Sequence, residues 1–420
     1  MAQRYQQLVK EHTNSTETLA AGLRALPSMS KTSFASTQAA WRFYQNEKMT
    51  LKKLSEPLLE AAHKGVSSHC TRYALCIHDW SRLNYRKHTR KEDRYQITHK
   101  TDVGYDLQSS LLISGDSGKP IAPVAQRLVT ADISYATYQT EENPVIKSHL
   151  DEVTDSIKWI EAQRFEKPLV HIIDREADSI GHIRQWEEAK IQWLTRSRIS
   201  SRIDYNGKSM RCEDIAGALD FTRVRKVNYK GRQCWQWVAE SPVCITRRAK
   251  PSQKKEKKPS KSGAPVNARL VVSRILSDSG EILANWLLIT NVKDVEAQEI
   301  ALWYYWRWQI ESWFKLLKRA GHDLESWQQE SGKAIAKRLL VASMACVVVW
   351  EIASSKEEAA EAFRDFLIKL SGRQMKHKVH YTTPALLAGL WVFISMLEVF
   401  QTYSTEQLEQ MKKMAEYFFS

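Results

Sequence analysis

The 420 residues include only six cysteines, no two of them in a Cys-x-x-Cys pair, so the sequence shows neither a zinc-finger pattern nor a dense disulfide framework. Scattered thiols of this kind fit a reducing compartment. The opening residues, Met1-Ala2-Gln3-Arg4-Tyr5, lack the apolar run of a secretory signal. The two most apolar stretches, Leu339 to Trp350 and Ala385 to Leu397, fall short of the ~18–20 residues that span a bilayer, and are expected as buried core helices. The expectation is a soluble, intracellular, cytoplasmic protein. There is no internal repeat. Acidic residues are also short: 48 Asp and Glu face 62 Lys and Arg, for a formal charge of +14. Such a balance draws polyanions, either nucleic acid or an acidic membrane surface.

The length points to two or three domains, and a 43% hydrophobic content with fifteen tryptophans is ample for a packed core. Residues 1 to about 70 read as helical. Strand-like runs follow at Tyr73 to His78, Ser109 to Ser114 and Val124 to Ile133. A helix is expected at Lys147 to Phe165, then an apolar run at Leu169 to Ile173, a helix from about Ala177 and a strand at Gln192 to Thr195. Strands that first pair locally and then alternate with helices indicate a mixed α/β layer. From about 199 to 285 the texture turns to short β-like pieces, and the segment Arg247 to Lys261 carries eight basic residues with Glu256 as its one acid. This segment is expected to be a loop whose charge matches nucleic acid. Beyond Thr290 the chain reads as helices at about 294–320, 332–353, 357–370, 384–402 and 404–418.

The sharpest signal lies in Tyr304-Tyr-Trp-Arg307-Trp-Gln-Ile-Glu311-Ser-Trp-Phe-Lys315-Leu-Leu-Lys318. With Tyr304 at zero on a continuous helix, Arg307 falls near about −60°, Glu311 about −20°, Lys315 about +20° and Lys318 about −40°. One acid then shares a narrow face with three cations and a tyrosine, while Leu302, Trp306, Ile310, Trp313 and Leu317 form the buried stripe. That is the setting of a metal-binding carboxylate beside DNA phosphates. Partners for Glu311 stand where strand-like runs end: Asp79 follows Tyr73 to His78, and Asp174 follows Leu169 to Ile173. Three such carboxylates could hold two Mg²⁺ ions about 3.5–4 Å apart for an in-line displacement at phosphorus.

The helix pattern Tyr-x2-Arg-x3-Glu-x6-Lys closely resembles the YREK signature of the insertion-sequence-four family of bacterial cut-and-paste DDE transposases. His78-Asp79-Trp-Ser-Arg-Leu-Asn-Tyr85-Arg86 and Asp174-Arg175-Glu176-Ala177-Asp178 resemble the blocks around that family's first and second catalytic aspartates. Trp193-Leu-Thr-Arg196-Ser-Arg198 is similar to a strand with a DNA-contacting arginine. Trp286-Leu-Leu-Ile-Thr290 is similar to the segment whose tryptophan stacks on a base, and Ala40-Trp41-Arg42-Phe43-Tyr44-Gln45-Asn46 to part of an end-recognition domain. The resemblance implies an α/β fold with an RNase H-like catalytic core at 71–330, interrupted by a β-rich insertion at about 199–285. A helical end-binding domain at 1–70 and a helical C-terminal domain at 331–420 would flank it. It implies that Asp79, Asp174 and Glu311 are catalytic and bind two Mg²⁺ ions, with Mn²⁺ able to substitute. DNA contacts would come from Tyr304, Arg307, Lys315, Lys318, Arg196, Trp286 and Arg42. The activity implied is cleavage of double-stranded transposon ends through a hairpin and transfer of the 3′ ends to target DNA, within a paired-end homodimer. Two other readings stay open on the residues alone: an RNase H-fold nuclease without strand transfer, and a non-catalytic DNA-binding inhibitor of transposition.

Overall fold

A computed structural model describes residues 2–12, 33–139, 142–145, 148–249, 262–318, 320–375 and 379–419. Among the described residues the helices α1 (Ala2–His12), α2 (Ser33–Gln45) and α3 (Leu51–His69) lead. Thr50 caps α3 by accepting the Lys53 N–H, and the buried Leu51, Leu54, Leu58, Ala62 and Val66 recur at helical spacing, so one face of α3 lies on the sheet that follows.

That sheet opens with β1 (Ala74–Asn84), β2 (Tyr95–Gln96), β3 (Val103–Ser114), β4 (Pro120–Val129), β5 (Ile133–Ala136) and β6 (Glu142–Pro144). After α4 (His149–Glu161) come β7 (Leu169–Ile173), α5 (Ile180–Glu188) and β8 (Gln192–Arg196). β4, β3 and β1 pair antiparallel, and β1, β7 and β8 pair parallel, giving the central order β4-β3-β1-β7-β8. This is an RNase H-like arrangement. The apolar run read at Val124 to Ile133 is two strands, because Thr130 turns the chain by bonding across to Ile133.

The next residues contribute β9 (Arg202–Tyr205), β10 (Lys208–Arg211), α6 (Cys212–Gly217), β11 (Thr222–Tyr229), β12 (Arg232–Ile245), β13 (Val266–Leu276) and β14 (Ile282–Thr290). They extend the same sheet, since β14 pairs with β8 in the order β9-β12-β13-β14-β8. In β14, Leu287 and Ile289 join the apolar cluster under α4, α5 and α6, whereas Trp286 and Leu288 join the larger cluster on the opposite face. A strand buried on both faces reads as a continuous apolar run, and Trp286 to Ile289 is one. Of the basic segment Arg247 to Lys261, residues 250–261 lie outside the described residues.

The remaining helices are α7 (Ala297–Trp306), α8 (Trp308–Leu317), α9 (Gly332–Ser354), α10 (Ala360–Leu370), α11 (Thr383–Thr402) and α12 (Thr405–Phe419). The single helix expected over 294–320 is broken at Arg307. There the Arg307 N–H bonds to Tyr304 C=O and the Ile310 N–H to Arg307 C=O, an i→i−3 tightening that stacks Tyr304 and Arg307 on one edge. The break also alters the expected buried stripe: Ile310, Trp313 and Leu317 are buried, Leu302 and Trp306 only half so, and Trp303 and Tyr304 take the interior instead. α7 is set against the β3–β4 turn, where Trp303 donates to Gly115 C=O at 3.1 Å. Gly118, at φ +69°, lies so close to the Trp306 ring that a Cβ there would clash with it.

α9 is the buried core helix expected from Leu339 to Trp350. α11 departs from its expectation. It runs 20 residues, long and apolar enough by length and composition to cross a membrane, with mean hydropathy 1.7 and one third of that stretch buried. The apolar run of the sequence ends at Leu397, but the helix continues past Glu398 to Thr402. Only its Ala385 to Trp391 side is buried, and Leu397 and Phe400 are exposed.

Candidate active site

Parallel pairing of β1 with β7 ends at His78 opposite Ile173, so Asp79 and Asp174 occupy the next rung, side by side. The expectation that Asp79 ends a strand is modified. β1 runs on to Asn84 along β3, and it is the β7 pairing that stops. Beyond β7 the backbone turns sharply, and Asp174 Oδ1 accepts the Arg175 N–H, capping the short 3₁₀ turn Arg175–Ala177. The tightened turn at Arg307 brings two side chains onto this pair. Arg307 Nη1 lies 2.7 Å from Asp79 Oδ2 and its Nη2 3.6 Å from Asp174 Oδ2, while Tyr304 Oη donates to Asp174 Oδ1 at 2.9 Å. Arg196, at the end of β8, adds a more distant contact of 3.9 Å to the same Oδ1.

Burial pushes the Asp79 carboxyl up to about 6, with Glu311 adding to the rise and Arg307 and the Trp80 N–H opposing it. Glu311 is therefore close enough to repel Asp79. Burial also raises Asp174, but Arg307, the Arg175 N–H, Tyr304 and Arg196 outweigh it and hold this carboxyl below the usual range. Burial and the neighbouring Asp174 raise the Tyr304 phenol, which stays neutral and donates. The rung thus carries two carboxylates bridged by one buried guanidinium, with the charge of Glu311 acting on Asp79. Asp79 remains under-compensated with Arg307 against it, so the oxygen-donor set has the charge and hardness to take a divalent cation.

The remaining candidates divide. Lys318 caps α8, donates to Arg82 C=O and lines a cleft of about 680 Å³ together with Asp79. Lys315, expected on the same face, is exposed and lines a separate cavity of about 450 Å³ with Trp350, Tyr381 and Pro384. The break at Arg307 removes the common angular frame with Tyr304, and Lys318 parts from Lys315 because it leaves helical geometry as the C-cap of α8. Trp286 is buried at 6% exposure, its ring packed edge-on between Tyr229 and Tyr304, with centroids 6.3 and 5.4 Å away; it presents no open face. Arg42 is exposed on α2, which packs on α9.

The sequence reading missed His149, the first residue of α4. Its Nδ1 lies 3.0 Å from Glu176 Oε2, its Nε2 3.1 Å from Asp106 Oδ2, and its ring stacks on Trp80 at 4.7 Å in the same cleft. Burial lowers its pKa, but the bonds to Asp106 and Glu176 overcome this and raise it to about 10. Glu176 thus holds His149, and Asp178 ties Arg247, Ser201 and the Arg198 N–H. No local pattern carries these pairings, since each partner is distant in sequence.

A histidine with a raised folded-state pKa stabilises fully below its free pKa of ~6.5, and the contribution is lost as pH climbs through the folded value. The unfolding temperature of His149→Gln should therefore lie furthest below wild type at pH 6 and converge on it above about pH 10. A gap unchanged across that range in thermal scans would show that His149 acts by packing alone.

No curated protein matches this chain. A cryo-EM structure titled as a piggyBac transposase synaptic complex with hairpin DNA aligns over 86% of this chain and 61% of its own, at 9% identity and a TM-score of 0.31; the chain thus spans less than two thirds of that protein's length. The family profile described as Transposase DDE domain matches residues 71–347, which takes in β1 through most of α9 and all three candidate carboxylates. The chain belongs to the DDE transposase family.

Proposed function

We propose that this chain is an active cut-and-paste transposase of the insertion-sequence-four branch, binding double-stranded transposon ends, cleaving them and joining the 3′ ends to target DNA. The observation that carries this reading is the rung of Asp79 and Asp174, bridged by a buried Arg307, with the charge of Glu311 felt at Asp79. Asp79, Asp174 and Glu311 would hold two Mg²⁺ ions, which Mn²⁺ could replace, and these supply activation of the attacking oxygen and stabilisation of the leaving oxygen. Tyr304 orients Asp174 through its phenol. Arg307, Arg196 and Lys318 neutralise phosphate charge as the strand enters, with Lys315 and Arg42 contacting the backbone further out. The helical segment 1–70 is the end-binding domain in this reading. The enzyme acts in the cytoplasm as a homodimer on paired ends, and the exposed apolar residues of α11 and α12, among them Phe400, Met414 and Phe418, are available for the C-terminal contact.

The test is incubation of purified protein with duplex carrying the inverted repeats that flank its reading frame, Mg²⁺ or Mn²⁺, and a target plasmid. Cut ends joined to the plasmid are expected. Cutting without joined product would favour a nuclease, and binding without cutting an inhibitor.

Cleavage through a hairpin adds an expectation for Trp286. An extruded base stacked on its ring, once DNA has displaced the Tyr229 or Tyr304 edge, contributes roughly 1–3 kcal/mol. Trp286→Ala should then slow hairpin formation by about one to two powers of ten and spare the first nick. A time course on a denaturing gel separates the species. If nicking falls equally, Trp286 serves by supporting Tyr304 and not by stacking.

A further inference from the structure

A second donor cluster lies behind the carboxylates, on the interior of the sheet. Cys76 and His78 stand two apart on β1 and so share a face, and the parallel register sets His171 of β7 directly opposite Cys76. All three are fully buried. Their donor atoms lie within 4.8 Å of one another, and no other group of three His, Cys, Asp or Glu side chains among the described residues does so. His78 Nε2 faces His171 Nδ1 at 2.8 Å, with the two rings stacked.

The outer ring nitrogens are held as well. His78 Nδ1 lies 2.8 Å from Ser110 Oγ, and His171 Nε2 lies 2.8 Å from Glu161 Oε1. Metal-bound histidines are oriented in this way, with the nitrogen remote from the ion donating to a carboxylate or hydroxyl. The inner nitrogens and the Cys76 sulfur then converge on one point.

We propose that Cys76, His78 and His171 form a three-donor site for one thiophilic d¹⁰ cation, Zn²⁺ or Cu⁺, separate from the proposed catalytic carboxylates. Two imidazoles and a thiolate are borderline-to-soft donors, which select these ions over Mg²⁺. With Zn–N bonds of about 2.0–2.1 Å, tetrahedral ligand nitrogens sit about 3.3 Å apart, so the facing rings part by roughly half an ångström on loading. The Cys76 thiol proton leaves to solvent as the sulfur–metal bond forms. Three donors without a fourth suit trigonal Cu⁺ directly, whereas Zn²⁺ takes a water in the open position. The ion cross-links β1 to β7 on the rungs that precede Asp79 and Asp174, and its role is structural. The sequence reading found no zinc pattern because the donors come from two strands ninety-three residues apart, at a spacing no local motif encodes.

The experiment is elemental analysis of full-length protein purified without added metal, dialysed, and then supplied in separate arms with Zn²⁺, Cu⁺ under reducing conditions, or Co²⁺ as a spectroscopic probe. Wild type is expected to retain about one equivalent of zinc or copper per chain and to show a thiolate-to-cobalt charge-transfer band. Cys76→Ser, whose fold is checked by circular dichroism, should lose the ion and the band, while Asp174→Ala keeps both. The readout does not depend on transposition, so it stands or falls apart from the reading of the carboxylates. Folded wild type holding no stoichiometric zinc or copper in any arm, or Cys76→Ser holding as much as wild type, overturns the proposal. In that case the cluster is a hydrogen-bond chain from Ser110 through His78 and His171 to Glu161.

Discussion

Replacing Asp79, Asp174 or Glu311 by alanine is expected to lower strand cleavage by roughly 10³-fold or more while leaving end binding nearly intact. On the proposed reading the two effects separate, because affinity for duplex would come from cations along the backbone and cleavage from the oxygens that would hold the metal. The three losses should also not add. Once one carboxylate is gone the metals are misplaced, and a second substitution removes little more. Labelled end DNA in a gel-shift assay and a cleavage time course report both quantities. Near-wild-type cutting by any one variant would remove that residue from the site, and a parallel loss of binding would show that the substitution had damaged the fold.

Arg307→Ala is expected to destabilise the protein in the absence of divalent ions and to be rescued by them. The guanidinium is 8% exposed and lies against Asp79, itself 17% exposed. Removing one partner of so buried a pair leaves an uncompensated carboxylate, at a cost of about 3 kcal/mol, toward the lower end of the range because Asp174 is 35% exposed and partly screened. A divalent cation bound to the same carboxylates takes over the compensation. Mg²⁺ or Mn²⁺ should therefore raise the unfolding temperature of Arg307→Ala by several degrees more than that of wild type at the same scan rate. Equal metal-induced shifts in the two proteins would mean that the arginine and the metal do not share the site.

The strands that carry Asp79 and Asp174 were legible because their signal is local. Leu169 to Ile173 and Tyr73 to His78 are short apolar runs that each stop at an aspartate, and Arg307 and Glu311 lie within one turn of each other. The parallel register that sets Asp79 beside Asp174 follows from topology, which no run of residues states. The break at Arg307 was illegible for a related reason. The sequence there contains neither glycine nor proline, and the turn tightens where Tyr304 and Arg307 bond the aspartates, so tertiary contacts override a helical pattern. Trp286 shows the limit of resemblance. A segment similar to a base-stacking motif places its tryptophan in the core, and whether the ring serves DNA depends on what the strand displaces. His149 stayed hidden because its partners, Asp106 and Glu176, lie 43 and 27 residues away.

The central claim is that Asp79, Asp174 and Glu311 together hold the divalent ions. Anomalous scattering from Mn²⁺ in crystals of the protein bound to end DNA tests it most directly. The account predicts manganese peaks bridged by carboxylate oxygens of all three residues, with Arg307 withdrawn from Asp79. Manganese bound elsewhere, or a centre that excludes any of the three carboxylates, would contradict it.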